Sequence, residues 1–236
     1  MNEAPRLRYM SGGQVKVPLV LKAGYGFAAG WAGQHSNCIY HTMMGIPGLK
    51  VVLPSTPADA KGLLAASIRD DNPVIYLHHY MLTLDKGPVP EGDLVVPLGV
   101  ADVKRAGTDV TIVATGWMVP KSLTAAERLA KEGISAEVVD PRTLAPLDVE
   151  TIITSVKKTG HLVLVDQAPR HSSAAAIIAG EVAEHGFSHL KSAVKMVTGL
   201  DTSIPYSEPL ESYVLPSEER IIQAVQAVLG VKAATV

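Results

Sequence analysis

Residues Ile46 to Leu77, IPGLKVVLPSTPADAKGLLAASIRDDNPVIYL, read as one complete strand–helix–strand unit, and such a unit leaves few folds open. Leu49 to Leu53 is a short apolar run closed by Pro54. Thr56 is placed to cap a helix, with Pro57 at the first helical position and Asp59 reaching back from the third. Ala60, Leu63, Leu64, Ser67 and Ile68 then recur at helical spacing. Pro73 disfavours the helical conformation at Asn72, so the helix stops within Asp70-Asp71-Asn72, and Val74 to Leu77 supplies a second strand. Two strands joined by a helix of this length run parallel, with a right-handed crossover.

The rest of the chain extends that theme. Val15 to Leu21 is a strand candidate that Pro18 weakens for a central position, and residues 1–14 before it have the pattern of a short helix and turn. A loop of small residues follows, KAGYGFAAGWAGQHSN, whose glycines allow close backbone approach without the spacing of a dinucleotide fingerprint. A short helix over 38–45 leads into the Ile46 unit. Between Thr83 and Pro97 turn-formers replace apolar side chains, which sets a domain boundary: 1–96, including a linker over 83–96, and 97–236. Beyond it, strands are expected over 109–114, 134–139, 162–165 and 194–197. Helices are expected over 119–131, from Asp148 to about Lys158, from Ser172 or Ser173 to His185, and from Ser217 to Leu229. Strict alternation with continuous Val/Ile/Leu strands implies parallel sheets covered on both faces.

Composition narrows the function classes. With 236 residues, 47% hydrophobic, 19% charged and a formal net charge of -2, the chain suits a two-domain globular protein. It is not basic enough for nucleic acid or an anionic membrane surface. No apolar run approaches a spanning helix, and the opening MNEAPRLRYM carries no secretory core, so a cytoplasmic location is expected. A lone cysteine, Cys38, excludes an internal disulfide and reads as a small semi-buried side chain.

The words of the sequence are themselves distinctive. PGLKVVLPSTPADAKGLLAASIRDDNPVI, RYMSGGQVKVPLV, GQHSN, VPLGVADVKRAGTDVTIVATG, EGISAEVVDPRTLAPLDVETIITSVKKTG and IPYSEPLESYVLP occur in this order. Together they resemble the β-subunit of the E1 component of 2-oxo acid dehydrogenase complexes (pyruvate, branched-chain and acetoin types), in the transketolase-like thiamine-diphosphate family. The resemblance implies an α/β fold: a truncated transketolase pyrimidine-binding domain, then a complete transketolase C-terminal three-layer αβα domain. In the family the first domain begins with further strand–helix units, which carry the glutamate that hydrogen-bonds the cofactor's aminopyrimidine and an aromatic residue that stacks on it. The expectation is that this chain lacks that segment. The resemblance also implies thiamine diphosphate and magnesium held largely by a partner E1 α-subunit, transfer of the acyl group to a lipoyl-bearing E2, and a homodimer.

Residue by residue, His35 in Gly33-Gln34-His35-Ser36 matches a family histidine that faces the cofactor and handles substrate or lipoyl protons. An imidazole suits that work because its ordinary pKa lies near working pH. Asp70 and Asn72, with carbonyls near Ser67 and Ile68 and at Leu19, match the family's potassium site; a solvated helix stop is the competing reading. Tyr25, Phe27 and Trp31 either line a channel or pack, and packing is favoured. Arg142, in Asp140-Pro141-Arg142, which resembles the family's strand-to-helix turn, is expected to tie the domains together through a carboxylate. His78-His79 stands where the family usually has Glu-His, but neighbours on a strand point to opposite faces and chelate poorly. Arg170-His171-Ser172-Ser173 departs from the family's glycine-rich turn. Three functions remain open: an E1 β-type subunit inactive alone, a non-catalytic dimerisation or E1/E2-docking derivative, and one part of a split enzyme.

Overall fold

The computed structural model describes residues 2–26 and 29–231. Phe27 therefore lies outside the described residues, as does the tail from 232. The first half runs α1 (Ala4–Met10), β1 (Val20–Tyr25), α2 (Ala32–His35), α3 (Tyr40–Met44), β2 (Lys50–Val52), α4 (Pro57–Ile68) and β3 (Val74–His79). The second runs β4 (Asp102–Arg105), β5 (Val110–Ala114), α5 (Met118–Lys131), β6 (Ala136–Asp140), β7 (Thr143–Ala145), α6 (Val149–Thr159), β8 (Leu162–Pro169), α7 (Ala174–His185), β9 (Lys195–Gly199), α8 (Glu208–Val214) and α9 (Glu218–Leu229).

The expected strand–helix–strand unit is present with its cap. The Thr56 hydroxyl accepts from the Asp59 N–H at 3.1 Å and donates to the Asp59 carboxylate at 2.7 Å. Alternate residues then serve opposite faces of the sheet. Val51, Leu53, Ile75 and Leu77 pack in one cluster, and Val52, Val74 and Tyr76 pack with Leu63 in another. Ile68 departs from the expected stripe and is 62% exposed. The reason is the linker: the Val96 N–H donates to the Gly62 carbonyl at 3.1 Å, so α4 turns Gly62 and Leu63 inward and Ile68 out.

Two sheets result, ordered β1-β3-β2-β7 and β4-β6-β5-β8-β9. The transketolase-like α/β architecture holds, but each sheet also carries one antiparallel edge strand that the apolar pattern did not reveal. β7 pairs antiparallel with β2, and β4 antiparallel with β6. β7 follows β6 by two residues yet joins the other sheet, so the chain stitches the halves at Pro141-Arg142. β1 begins later than expected, at Val20, because Val17 and Leu19 sit in irregular backbone beside Pro18.

Helices cover both faces of the larger sheet: α5 and α9 pack with Val110, Ile112, Val163 and Val165, while α6 and α7 pack with Val113, Leu162 and Leu164. The smaller sheet is covered partly by the second half itself, since Ala168 and Ala174 share a core with Tyr25, Cys38 and Tyr40. At that shared core the Tyr40 hydroxyl donates to Asp166, which also accepts from the Ala168 and Ala175 N–H groups at 2.9 and 3.1 Å. Among the described residues, no helix is long and apolar enough to cross a membrane.

Candidate functional site

Parallel strands β1, β2 and β3 all end on one side of their sheet, the side where open α/β sheets place ligands. The glycine-rich loop after β1 sits there. Tyr25, 4% exposed, closes the strand and meets Tyr40 and His79 edge-on at 5.4 and 5.1 Å. Gly26 adopts φ +64, and a Cβ there would stand 2.6 Å from the His79 ring, so both the backbone conformation and the space require glycine. Its carbonyl accepts from the Gln167 carboxamide at 3.4 Å. The Ala29 and Gly30 N–H groups donate to one oxygen of Glu211 at 3.0 and 3.1 Å. The chain then turns through Trp31 into α2, whose last residue is His35.

His35 is exposed, and its ring meets the Trp31 indole edge-on at 5.8 Å. Trp31 in turn lies against Tyr80 at 5.8 Å, so of the loop's described aromatic residues Tyr25 packs on Tyr40 and His79, and Trp31 on His35 and Tyr80. His79 is buried and stacked on Trp117 at 4.8 Å. Burial pulls its pKa down to about 3, against the facing Gln167 carboxamide, which favours the charged form. A neutral imidazole wedged between Tyr25 and Trp117 is a packing element. Beside the loop lies a cleft of about 770 Å³ with Gly30, Trp117, Lys121, Tyr206 and Glu211 in its wall. The Lys121 ammonium sits 4.5 Å over the Trp117 ring. Burial raises the Cys38 thiol well above its ordinary value, which keeps it protonated and inert.

The residues matched to potassium stand elsewhere. Leu19 and Asn72 flank the starts of β1 and β3, at the end of the sheet opposite His35. The Asp70 carboxylate takes the Lys50 ammonium on one oxygen and the Asn72 N–H groups on the other, at 2.8 and 2.9 Å. The Leu19 carbonyl accepts from the Val74 N–H at 2.8 Å, and the Ser67 hydroxyl donates to the Leu63 carbonyl at 2.6 Å. The sequence thus names two clusters that the fold keeps apart. Ile68 adds only an exposed helix end.

Arg142 does tie segments together: its guanidinium reaches Asp59 at 3.2 Å and the Val100 and Ala101 carbonyls at 2.8 and 3.3 Å. Lys104 joins the same group, 2.5 Å from Asp59 and 2.7 Å from Asp102. Arg170 to Ser172 form an exposed 3-10 turn, and Ser173 caps α7 by accepting from the Ala176 N–H at 3.1 Å. Gln167, Glu211, Trp117 and Lys121 escaped the sequence reading. They come from the second half, and only Glu211 fell in a quoted family phrase, PLE, with no role attached.

Residues 1–83 match the family model for the transketolase pyrimidine-binding domain, and residues 99–221 match that for the transketolase C-terminal domain. The chain belongs to the transketolase family. Within it, similar proteins include oxidoreductase and dehydrogenase β-subunits. The acetoin:2,6-dichlorophenolindophenol oxidoreductase subunit beta of Cupriavidus necator is 47% identical over 95% of this chain and 67% of that protein. The pyruvate dehydrogenase E1 component subunit beta of Rhizobium meliloti is 43% identical over 97% of this chain and 50% of that protein. The 2-oxoisovalerate dehydrogenase subunit beta of Bacillus subtilis is 41% identical over 96% and 70% respectively. A solved structure titled as a split-gene transketolase, inactive beta4 tetramer, superposes with a TM-score of 0.75 at 26% identity, covering 92% of this chain and 68% of that one. The chain thus spans half to about two thirds of the length of these family members.

Proposed function

We propose that this chain acts as the β-type subunit of a thiamine-diphosphate-dependent 2-oxo acid or acetoin dehydrogenase, with residues 1–96 as its pyrimidine-binding domain and 97–236 as its C-terminal domain. The single observation behind this reading is the Gly33-Gln34-His35-Ser36 loop, held at the carboxyl ends of β1 and β3 in a chain whose relatives bear those activities in their names. In this reading His35 exchanges protons with the substrate or the lipoyl group, and a partner α-subunit and an E2 acyltransferase complete the cytoplasmic assembly.

The residues described here do not by themselves fit the cofactor. Its aminopyrimidine needs a carboxyl free to hydrogen-bond the ring, yet four of the five described buried carboxylates have both oxygens engaged. Asp59 takes Lys104 and Arg142, Asp140 takes Ser55 and the Arg142 N–H, and Asp166 takes Tyr40. Glu137 takes Lys158 and Ser155, and Glu211 takes the loop on Oε2, while its Oε1 is buried without a described partner. No described group of three or more His, Cys, Asp or Glu is placed to hold magnesium. The potassium residues do not fit as arranged either, because the Lys50 ammonium already neutralises Asp70. The chain alone is therefore expected to be inactive. The test is His35→Gln in the chain combined with a family α-subunit: about a hundredfold or greater loss of turnover is expected for removing a general acid–base. Unchanged turnover would remove His35 from the chemistry.

A second reading, a self-associating protein without turnover, draws on the solved relative whose title names an inactive β4 tetramer. Turnover with an α-subunit would set it aside.

A further inference from the structure

We propose that Glu211, in the second half of the chain, is the positioning residue for the His35 loop of the first. Helix α8 turns most of its side chains to solvent, with Leu210 and Tyr213 56% and 72% exposed. Glu211 and Val214 are its two buried residues. A carboxylate 4% exposed costs free energy unless something compensates it, and none of the described salt bridges supplies a cation. Its described partners are two successive backbone N–H groups of the loop, Ala29 and Gly30, converging on Oε2. Charge-assisted bonds of this kind are stronger than neutral ones and fix the orientation of the peptide planes they touch.

The loop needs such a hold. Ala29 sits at φ +96 and Ala32 at +59, left-handed values that side-chain-bearing residues adopt only when their surroundings impose them. The same stretch lies against the segment leading to α8. A Cβ on Gly33 would come within 3.2 Å of Ser203, and one on Gly30 within 3.5 Å of the Tyr206 carbonyl. Residues 203–211 therefore form a cradle, and Glu211 is the charged point that grips the loop two residues before α2 begins. The C-terminal half thereby sets where His35 stands, without itself touching substrate.

This inference rests on the function proposed for His35, so its test has two arms. In the isolated chain, Glu211→Ala is expected to speed hydrogen exchange at the Ala29 and Gly30 amides by about tenfold, while amides of β5 and β8 stay protected. Glu211→Gln, which keeps the shape and one acceptor oxygen, is expected to restore most of that protection. With a family α-subunit, Glu211→Ala is expected to lower kcat about tenfold with little change in KM, and to cost nothing further in a chain already carrying His35→Gln. Unchanged exchange at the two amides, or losses that multiply in the double variant, would overturn the proposal. If no form of the protein turns over, the function assigned to His35 fails, while the exchange arm still decides whether Glu211 holds the loop.

Discussion

Asp140 and its neighbours show how single residues hold the two halves together. Asp140 is fully buried at the end of β6, and burial raises its pKa to about 7, against the Ser55 hydroxyl, the Lys104 ammonium 3.9 Å away and the Arg142 N–H. Nearby Asp59 would also be raised by burial, but the Lys104 and Thr56 hydrogen bonds and Arg142 bring it below the ordinary carboxylate range. The two acids act in opposite senses. Asp140, raised above its unfolded value, contributes most at low pH and loses that contribution as pH rises from about 4 to about 7. Asp59, depressed, contributes above its unfolded value and loses that as pH falls through its folded value. Asp140→Asn is thus expected to raise the urea midpoint at pH 8 relative to that at pH 5, and an unchanged difference between the two would refute the assignment. Lys104→Met leaves two buried carboxylates without their ammonium and is expected to cost about 3 kcal/mol in urea unfolding at pH 7. At the other end of the sheet, Lys50 satisfies Asp70, so Tm is expected to be the same in potassium and sodium chloride at equal ionic strength. A rise specific to potassium would restore the ion. The sequence pointed to Arg142 as a tie because Asp140-Pro141-Arg142 resembles the family's strand-to-helix turn, where an arginine suits a carboxylate contact between domains better than catalysis. It was silent on Lys104, whose partners Asp59 and Asp140 are 45 and 36 positions away in the chain.

At the scale of elements, local chemistry was legible wherever a cap or a turn carried it. Thr56, Asp148, Ser173 and Ser217 each accept the N–H three residues on, as their spacing implied. Gly160 and Gly230 end their helices in left-handed conformations. Thr56→Ala is expected to cost about 1 kcal/mol, read as a fall in Tm. An unchanged Tm would mean that Pro57 and Asp59 define the start of α4 without the hydroxyl. Strands β4 and β7 were not legible, because four and three residues of mixed polarity carry no periodic signal, and their pairing partners lie far off in sequence. Helix α8 was hidden for a related reason. Its exposed Leu210 and Tyr213 blur any apolar stripe, and its inward face is carried by a glutamate that only the loop explains.

The whole molecule is two sheets that share a core, so the first half does not bury its surface alone. Among the described residues one edge stays open: β1 pairs only with β3, and Leu19 just before it and Leu21 within it are 50% and 47% exposed. Self-association of the purified chain is expected on that ground, and a strictly monomeric sedimentation profile at micromolar concentration would contradict it. The family and the α/β class were readable because long matched phrases and continuous apolar strands are local properties. The holding of His35 was not, since it depends on Gln167 and Glu211 reaching across from the second half. The claim that joins these scales is that the chain presents a proton-handling histidine to chemistry completed by another subunit. Steady-state turnover of pyruvate, a branched-chain 2-oxo acid and acetoin, with thiamine diphosphate and magnesium, tests it most directly when measured without and with a family α-subunit. The account predicts no turnover from the chain alone and turnover of one of these substrates once the α-subunit is added; turnover by the chain alone, or none in either case, would contradict it.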